Sequence, residues 1–177
     1  MRWGLENFFI SVISRFYGNE SVTYTTHSDP TFILTNLIPL AERWQGPISL
    51  AIYAPGTDYD LALKAIAHLR TCQPKSYLVR DLVTFHIFSE IKFSFKYKTL
   101  PKADCSWDPP DEGTKTFRKA HNLTYPINVA RNLARESATT HYILPSDIEL
   151  YPNPGLISGF LRMITDGNEA VINRRYE

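Results

Sequence analysis

An almost continuous apolar run at residues 48–54 constrains the fold of this chain more than any other feature. Only Ser49 interrupts it. A strand whose successive residues are apolar has to be covered on both faces, as in a parallel sheet between two layers of helices. The turn Pro55-Gly56-Thr57-Asp58 follows, and its last residues are suited to cap a helix. We therefore expect a buried strand that leads directly into a helix.

Strand and helix patterns alternate along the rest of the chain. Short runs rich in β-branched or aromatic residues predict further strands at 22–27, 82–88 and 142–144. Apolar residues at helical spacing predict helices at 31–44, 59–72, 125–139 and 156–164. Pro39 lies inside the first helix, so a kink or an early break is expected there. This order predicts an α/β fold with a mostly parallel sheet and helices on both faces.

Two stretches between these elements are harder to assign. Residues 91–97 alternate apolar and charged side chains, which predicts either a half-exposed strand or an extended loop. Residues 101–119 are polar and rich in proline, which predicts a surface loop.

Composition and missing motifs exclude several functions. The 177 residues suffice for one domain with a sizeable core, and the formal net charge of +1 without a long charge run argues against nucleic acid as a partner. The sequence contains no Gly-x-x-x-x-Gly-Lys, Gly-x-Gly-x-x-Gly or Gly-x-Ser-x-Gly motif. A P-loop NTPase, a dehydrogenase of the usual type and a serine hydrolase are therefore not expected.

A few residues bear on the cellular compartment. Asn19 and Asn122 each begin an Asn-x-Ser/Thr acceptor, which predicts glycosylated surface positions in a secretory chain. Cys72 and Cys105 fit neither a zinc pattern nor a disulfide framework, so they are either paired or both free. The apolar residues within 3–13 are too few and too interrupted for a membrane span or a clear signal peptide. We expect any membrane anchor to lie outside this sequence.

Two carboxylates, Asp147 and Glu149, closely follow the apolar run at 142–144. If that run is a buried strand, they lie at the sheet edge where ligands bind in open α/β folds. Two carboxylates can hold Mg²⁺ or Mn²⁺, whose other ligands are water and substrate phosphate. The spacing does not decide which side chain binds metal and which faces the nucleotide. A solvated turn is the alternative interpretation.

Two further groups of polar residues are candidates for binding. Thr25, Thr26 and His27 end the first predicted strand, where they are positioned either to hold a base or ribose or simply to form a polar strand end. Asn128 and Arg131 share one face of the predicted helix 125–139. An arginine there either binds a phosphate or a sugar carboxylate, or belongs to a solvated face with ordinary ion pairs.

Four segments appear in an order that resembles a known family: residues 25–27, 43–49, 125–135 and 146–152. They resemble the family of β-1,4-glucuronyltransferase 1 and of the C-terminal glucuronyltransferase domain of the LARGE enzymes, over roughly residues 21–163. This resemblance implies a GT-A fold, UDP-glucuronate as donor, Mn²⁺ (or Mg²⁺) as cofactor and a glycan acceptor of the O-mannosyl type on a glycoprotein. It also implies a type II membrane protein of the Golgi.

The resemblance assigns roles to the candidate residues. Asp147 and Glu149 correspond to the Asp-x-Asp metal motif of the family, with glutamate as the second acid. Asn128 and Arg131 match the helix that faces the donor, and residues 25–27 match the uridine end.

The resemblance also implies a division of the chain. We expect residues 1–20 to be an N-terminal segment and residues 21–177 to be the donor-binding part of a GT-A domain. The catalytic base and the acceptor pocket are expected beyond Glu177, and the base is unknown. The prediction is therefore a metal-dependent, inverting glucuronyltransferase. The alternative is a truncated, non-catalytic domain that binds a nucleotide or a partner glycosyltransferase.

Overall fold

The computed structural model describes residues 3–10, 16–93, 99–111 and 113–165 of the chain. The strands are β1 (Trp3–Ile10), β2 (Gly18–Ser28), β3 (Ile48–Tyr53), β4 (Val83–Glu90) and β5 (Thr140–Pro145). The helices are α1 (Ile33–Trp44), α2 (Asp58–Thr71), α3 (Ser76–Leu82), α4 (Phe117–Ala120), α5 (Ile127–Glu136) and α6 (Leu156–Thr165). Within these ranges the chain contains no helix long and apolar enough to cross a membrane.

The five strands form one sheet in the order β1-β4-β3-β2-β5. Strands β2 to β5 run parallel to their neighbours, and β1 pairs antiparallel with β4 at the edge. The predicted mostly parallel α/β sheet is therefore confirmed. From β2 the chain adds β3 and then β4 on one side, and it returns to place β5 on the other side of β2. The strand order thus reverses between β2 and β5.

Strand β3 shows why the sheet needs two layers of helices. Ile48, Leu50 and Ile52 belong to the core that contains α1 and α2, whereas Ala51 and Tyr53 pack with α5. All six residues of β3 are buried. The apolar run therefore forms a central strand covered on both faces, as expected from its composition.

Helix α1 continues through Pro39 to Trp44, so the expected early break is wrong. Proline removes one backbone hydrogen bond and crowds the preceding turn. The residues that flank Pro39 are held in the core, however: Leu37, Leu40 and Ala41 have no exposed surface. Their burial outweighs the local cost of the proline.

Several elements differ from the sequence predictions. Helix α3 was not expected, and α5 is shorter than the predicted helix at 125–139. Residues 91–93 form a single 3₁₀ turn, and 94–98 lie outside the described residues. The predicted loop at 101–119 is irregular up to α4. A disulfide joins Cys72 to Cys105, which settles the pairing that the sequence left open.

Candidate functional site

The candidate site lies where the strand order reverses, at the carboxyl ends of β2 and β5. Parallel α/β sheets bind ligands at such a switch point because the loops of the two strands diverge there and leave a crevice. Here Thr25 of β2 pairs with Pro145 of β5, and the backbone N–H of Ser146 donates to the Thr25 carbonyl oxygen at 3.1 Å. His27, near the end of β2, therefore lies beside Asp147, just after β5.

The turn that carries Asp147 and Glu149 is held on its core side by Ile148 and Tyr24. Ile148 is buried in the core, whereas its sequence neighbour Asp147 is half-buried and Glu149 is exposed. The hydroxyl of Tyr24 lies 2.8 Å from the Asp147 carbonyl oxygen and 2.7 Å from that of Leu150. Because Ile148 faces inward and Tyr24 holds the backbone, the turn presents its carboxylates away from the core.

Two basic side chains meet Asp147. The guanidinium of Arg131 donates to Asp147 Oδ1 at 3.0 Å. The Nε2 atom of His27 lies 3.5 Å from the same oxygen. That distance is within ion-pair range but too long for a hydrogen bond. His27 Nε2 is also buried without a hydrogen-bond partner among the described residues.

The other ring nitrogen of His27 is held by Tyr125. His27 Nδ1 lies 3.2 Å from the Tyr125 hydroxyl, which in turn donates to the Ser28 carbonyl oxygen at 3.1 Å. Burial lowers the pKa of His27, an effect that the nearby Asp147 carboxylate opposes. Burial also raises the pKa of Tyr125. The pair is therefore a neutral imidazole beside a neutral phenol near pH 7.

The structure brings together only some of the predicted site residues. His27, Arg131 and Asp147 converge, whereas Thr25 and Thr26 are buried within β2. Asn128 lies on the exposed first turn of α5, three residues before Arg131.

The predicted glycosylation acceptors lie apart from this site. Asn19 is exposed in the first residues of β2, and Asn122 is exposed in a turn after α4. Whether either carries a glycan stays a prediction.

The acidic residues at this edge can be tested as ligands of the predicted metal ion. The described residues include no group of three or more His, Cys, Asp or Glu side chains arranged to hold a metal ion. Asp147 and Glu149 supply carboxylates for a hard cation, which would take its remaining ligands from water and phosphate. The chemistry of these donors thus fits Mg²⁺ or Mn²⁺ as a partner of a bound diphosphate.

Two site residues had no signal in the sequence analysis: Tyr24 and Tyr125. Tyr24 is one of several aromatic or β-branched residues in a strand, and Tyr125 precedes a helical proline. Their partners are about a hundred residues away, at separations of 123 and 98 positions. No local pattern reports such contacts.

The same edge of the sheet is closed at the carboxyl ends of β3 and β4, because other parts of the protein bond to the acidic side chains there. Tyr53 donates to the buried carboxylate of Glu90 at 2.7 Å. Asp58 accepts from the backbone N–H groups of Phe117 and Arg118 at 2.7 and 2.9 Å. A Cβ atom on Gly56, whose φ is +56°, would lie 2.9 Å from the Phe117 ring. Glycine thus allows α4 to pack directly on the turn after β3.

Comparison with known proteins adds to this geometry. A family model described as "Glycosyl-transferase for dystroglycan" matches residues 21–177. The chain belongs to this glycosyltransferase family. The resemblance read from the four segments is therefore confirmed at the level of the family.

Individual relatives agree with the family match. The chain is 30% identical over 158 residues to the zebrafish (Danio rerio) protein named "Beta-1,4-glucuronyltransferase 1", covering 80% of this chain and 34% of that protein. It is 26% identical over 171 residues to the Homo sapiens protein of the same name, covering 85% of this chain and 38% of that protein. The chain thus spans about a third of the length of these curated relatives.

Proposed function

We propose that this chain carries the donor-binding part of a metal-dependent glucuronyltransferase that uses UDP-glucuronate. The observation that carries the proposal is the convergence of His27, Arg131 and Asp147 at the switch point of a sheet in a chain of this family. The relatives are named as glucuronyltransferases, which supports the choice of donor sugar. The family description names dystroglycan, which supports a glycoprotein as the carrier of the acceptor; the O-mannosyl type of glycan is what the resemblance implies.

The side chains at the crevice would have different roles in binding the donor. Asp147 and Glu149 would hold Mn²⁺, which when bound offsets the charge that grows on the diphosphate. The guanidinium of Arg131, half exposed beside Asp147, is placed to add positive charge near the phosphates. In the inverting reaction an acceptor hydroxyl forms a bond to the anomeric carbon as the bond to UDP breaks. A base outside the assigned residues takes the hydroxyl proton.

The disulfide supports a location in the secretory pathway, in keeping with the Golgi. Disulfides persist in oxidising compartments and are rare in the cytosol. The Cys72–Cys105 bond and the exposed acceptors at Asn19 and Asn122 are compatible with the same compartment. We therefore propose that the site faces the Golgi lumen, with a membrane anchor as in a type II membrane protein.

Calorimetric titration of UDP, with and without Mn²⁺, tests the donor site. We expect binding that requires Mn²⁺ and that is lost in the Asp147→Ala/Glu149→Ala variant. An Asp111→Ala/Glu136→Ala variant is the matched control, because it removes two acidic side chains at exposed positions elsewhere. Absence of UDP binding by the folded chain would contradict the proposal.

A second measurement separates the enzyme from a non-catalytic domain that binds a nucleotide or a partner glycosyltransferase. Purified chain is incubated with UDP-glucuronate and Mn²⁺, and release of UDP is followed. Slow, Mn²⁺-dependent hydrolysis that disappears in the Asp147→Ala/Glu149→Ala variant supports a transferase site. UDP binding without any hydrolysis favours the non-catalytic domain.

A further inference from the structure

A small cavity lies between helix α2 and the loop at residues 101–107, in the layer of the molecule opposite to α5. Helix α2 contributes Lys64 and Ala67 to its lining, and the loop contributes Lys102 and Trp107. The cavity has a volume of about 140 Å³. Sites for drug-sized ligands measure roughly 300 to 1,000 Å³, so this cavity is suited to a single small ring rather than to a nucleotide.

The loop that forms one wall of this cavity is held in place at three points. The disulfide at Cys105 joins it to the end of α2. The ring of Trp107 packs edge-on against the buried His68 of α2, with ring centroids 5.5 Å apart. Within the loop, Asp104 Oδ1 accepts from the backbone N–H and the hydroxyl of Ser106 at 2.9 and 2.6 Å. A wall restrained in this way is preorganised, which lowers the entropic cost of binding.

The charged residues of the lining give the cavity a net positive charge. Lys64 and Lys102 are exposed, and neither forms an ion pair with another residue in the part of the chain that the structure describes. Asp104 is the acidic residue of the lining, and one of its carboxylate oxygens is already bonded to Ser106. Two ammonium groups against one carboxylate leave one positive charge, which attracts an anion.

The rest of the lining is apolar and includes an aromatic ring. Trp107 is half-buried, and Ala67 and Ala103 line the cavity with it. This combination is suited to a ligand that has a flat apolar face and one anionic group. A uronate has both, because its pyranose ring presents a face of C–H groups and its C6 is a carboxylate. Inorganic phosphate lacks the apolar face, and the acidic side chains of a peptide lack the ring.

We propose that this cavity binds a uronate residue of a glycan, with the sugar face on Trp107 and the carboxylate near Lys64 and Lys102. Glycans are the ligands to expect in a chain of a glycosyltransferase family. The cavity shares no lining residue with the crevice at β2 and β5. It would therefore hold a glycan that already carries an acidic sugar while the crevice holds the donor. The inference goes beyond the proposed donor site and does not depend on it.

NMR titration of the Trp107 indole N–H tests this assignment. The chain has three tryptophans, so loss of one indole signal in Trp107→Phe identifies the signal of Trp107. The probes are methyl β-D-glucuronide and methyl β-D-glucoside, which differ only in a carboxylate that replaces a hydroxymethyl group. We expect the glucuronide to shift this signal saturably, with a Kd on the order of 1 mM. The glucoside should bind roughly fivefold more weakly, as for an exposed charge pair.

Substitution of the two lysines tests the origin of this preference. In Lys64→Gln/Lys102→Gln the preference for the glucuronide should fall to near one, and the exposed positions of both side chains make misfolding unexpected. Lys75→Gln/Lys115→Gln removes two exposed lysines elsewhere and is the matched control, which should keep the preference.

Trp107→Leu removes the aromatic wall. Neither glycoside should then give a saturation-transfer signal, which is observed on the sugar protons and needs no indole. Trp107 packs partly on the core, so the lysine variant carries the test if Trp107→Leu does not fold.

Two further variants separate this cavity from the donor crevice. Asp147→Ala/Glu149→Ala should bind methyl β-D-glucuronide like the unsubstituted chain, although it is expected to lose UDP. Cys72→Ser/Cys105→Ser should show the reverse, because release of the loop weakens binding of the glucuronide and leaves affinity for UDP unchanged.

The source of the uronate is distinguished by a disaccharide that ends in glucuronate. It should bind at least as tightly as methyl β-D-glucuronide, and its exclusion would refute a glycan as the ligand. Equal responses to the glucuronide and the glucoside would refute recognition of the carboxylate. A response to inorganic phosphate or to a tetra-aspartate peptide as strong as that to the glucuronide would show a general anion site. Loss of the glucuronide response in Asp147→Ala/Glu149→Ala would place the sugar in the crevice.

Discussion

Glu90 and Asp147 lie at the same edge of one sheet, yet their surroundings differ. Glu90, at the end of β4, is buried and accepts a hydrogen bond from Tyr53. Asp147, after β5, keeps 39% of its side chain exposed and faces His27, whose Nε2 atom lacks a hydrogen-bond partner among the described residues. One acid is satisfied by the protein itself, and the other leaves capacity for a ligand.

The difference follows from what covers each half of the edge. At β3 and β4, helix α4 packs on Gly56, and the Asp58 carboxylate accepts from its first backbone N–H groups. At β2 and β5 the strand order reverses, so the connecting segments diverge and leave a crevice. Polar residues at this sheet edge therefore have a structural role where a loop closes over them, and they stay available to a ligand where it does not.

The largest expected effect concerns the disulfide between Cys72 and Cys105. We predict that Cys72→Ser/Cys105→Ser lowers the free energy of unfolding by about 4 kcal/mol, because the bond closes a loop between residues 33 positions apart. Affinity for UDP in the folded variant should be unchanged. Urea unfolding and calorimetric titration measure the two quantities, with the unsubstituted protein in reducing buffer as control. A variant that keeps its stability but loses UDP binding would contradict the prediction, because the disulfide would then support the binding site rather than the stability of the fold.

A smaller effect is expected from His86, in the middle of β4. Its Nε2 atom lies 3.1 Å from the Ser49 hydroxyl, which donates to the Ala134 carbonyl oxygen, and burial lowers its pKa to about 4. The unfolded chain takes up this proton near pH 6.5, so stability is retained above that pH and lost between pH 6.5 and 4. We expect the free energy of unfolding to be roughly 2 kcal/mol lower at pH 5 than at pH 7.5.

His86→Gln tests the origin of this pH dependence. Glutamine can still donate to Ser49 but does not titrate, so the difference between pH 5 and pH 7.5 should shrink by most of that amount. His141→Gln, at an exposed position of β5, is the matched control. If both variants keep the full difference, other groups cause the acid sensitivity.

The smallest effect is expected at Glu90, the buried carboxylate at the end of β4. Tyr53→Phe removes the donor to Glu90 and should lower the free energy of unfolding by between about 1 and 2 kcal/mol. UDP affinity should change less than twofold, since Tyr53 lies at the closed ends of β3 and β4 rather than at the crevice between β2 and β5.

Asp147→Asn is the corresponding substitution at the crevice and should weaken UDP binding while leaving the free energy of unfolding within about 0.5 kcal/mol. Equal effects of both substitutions on binding would mean that the two halves form one site.

Much of the scaffold could be predicted because its signals are local. The apolar run at 48–54 predicted a strand covered on both faces, and the two acids after the run at 142–144 predicted a site at the sheet edge. Helix α3 was not predicted, and α1 continues through Pro39, where a kink or an early break was expected, because packing against the core decides both. Thr25 and Thr26 were expected near the nucleotide, but the strand continues past them and buries both.

The sequence by itself therefore determined the fold class, the glycosyltransferase family and the edge at which the acids lie. The fold class and the edge depend on periodicity, which acts over a few residues, and the family follows from the resemblance of four short segments to known glycosyltransferases. Only the tertiary structure decided that His27 meets Tyr125 and Asp147, that Glu90 is satisfied, and that Cys72 pairs with Cys105. Such contacts depend on the register of the strands and on where a distant loop closes, and a separation of 98 residues leaves no local pattern.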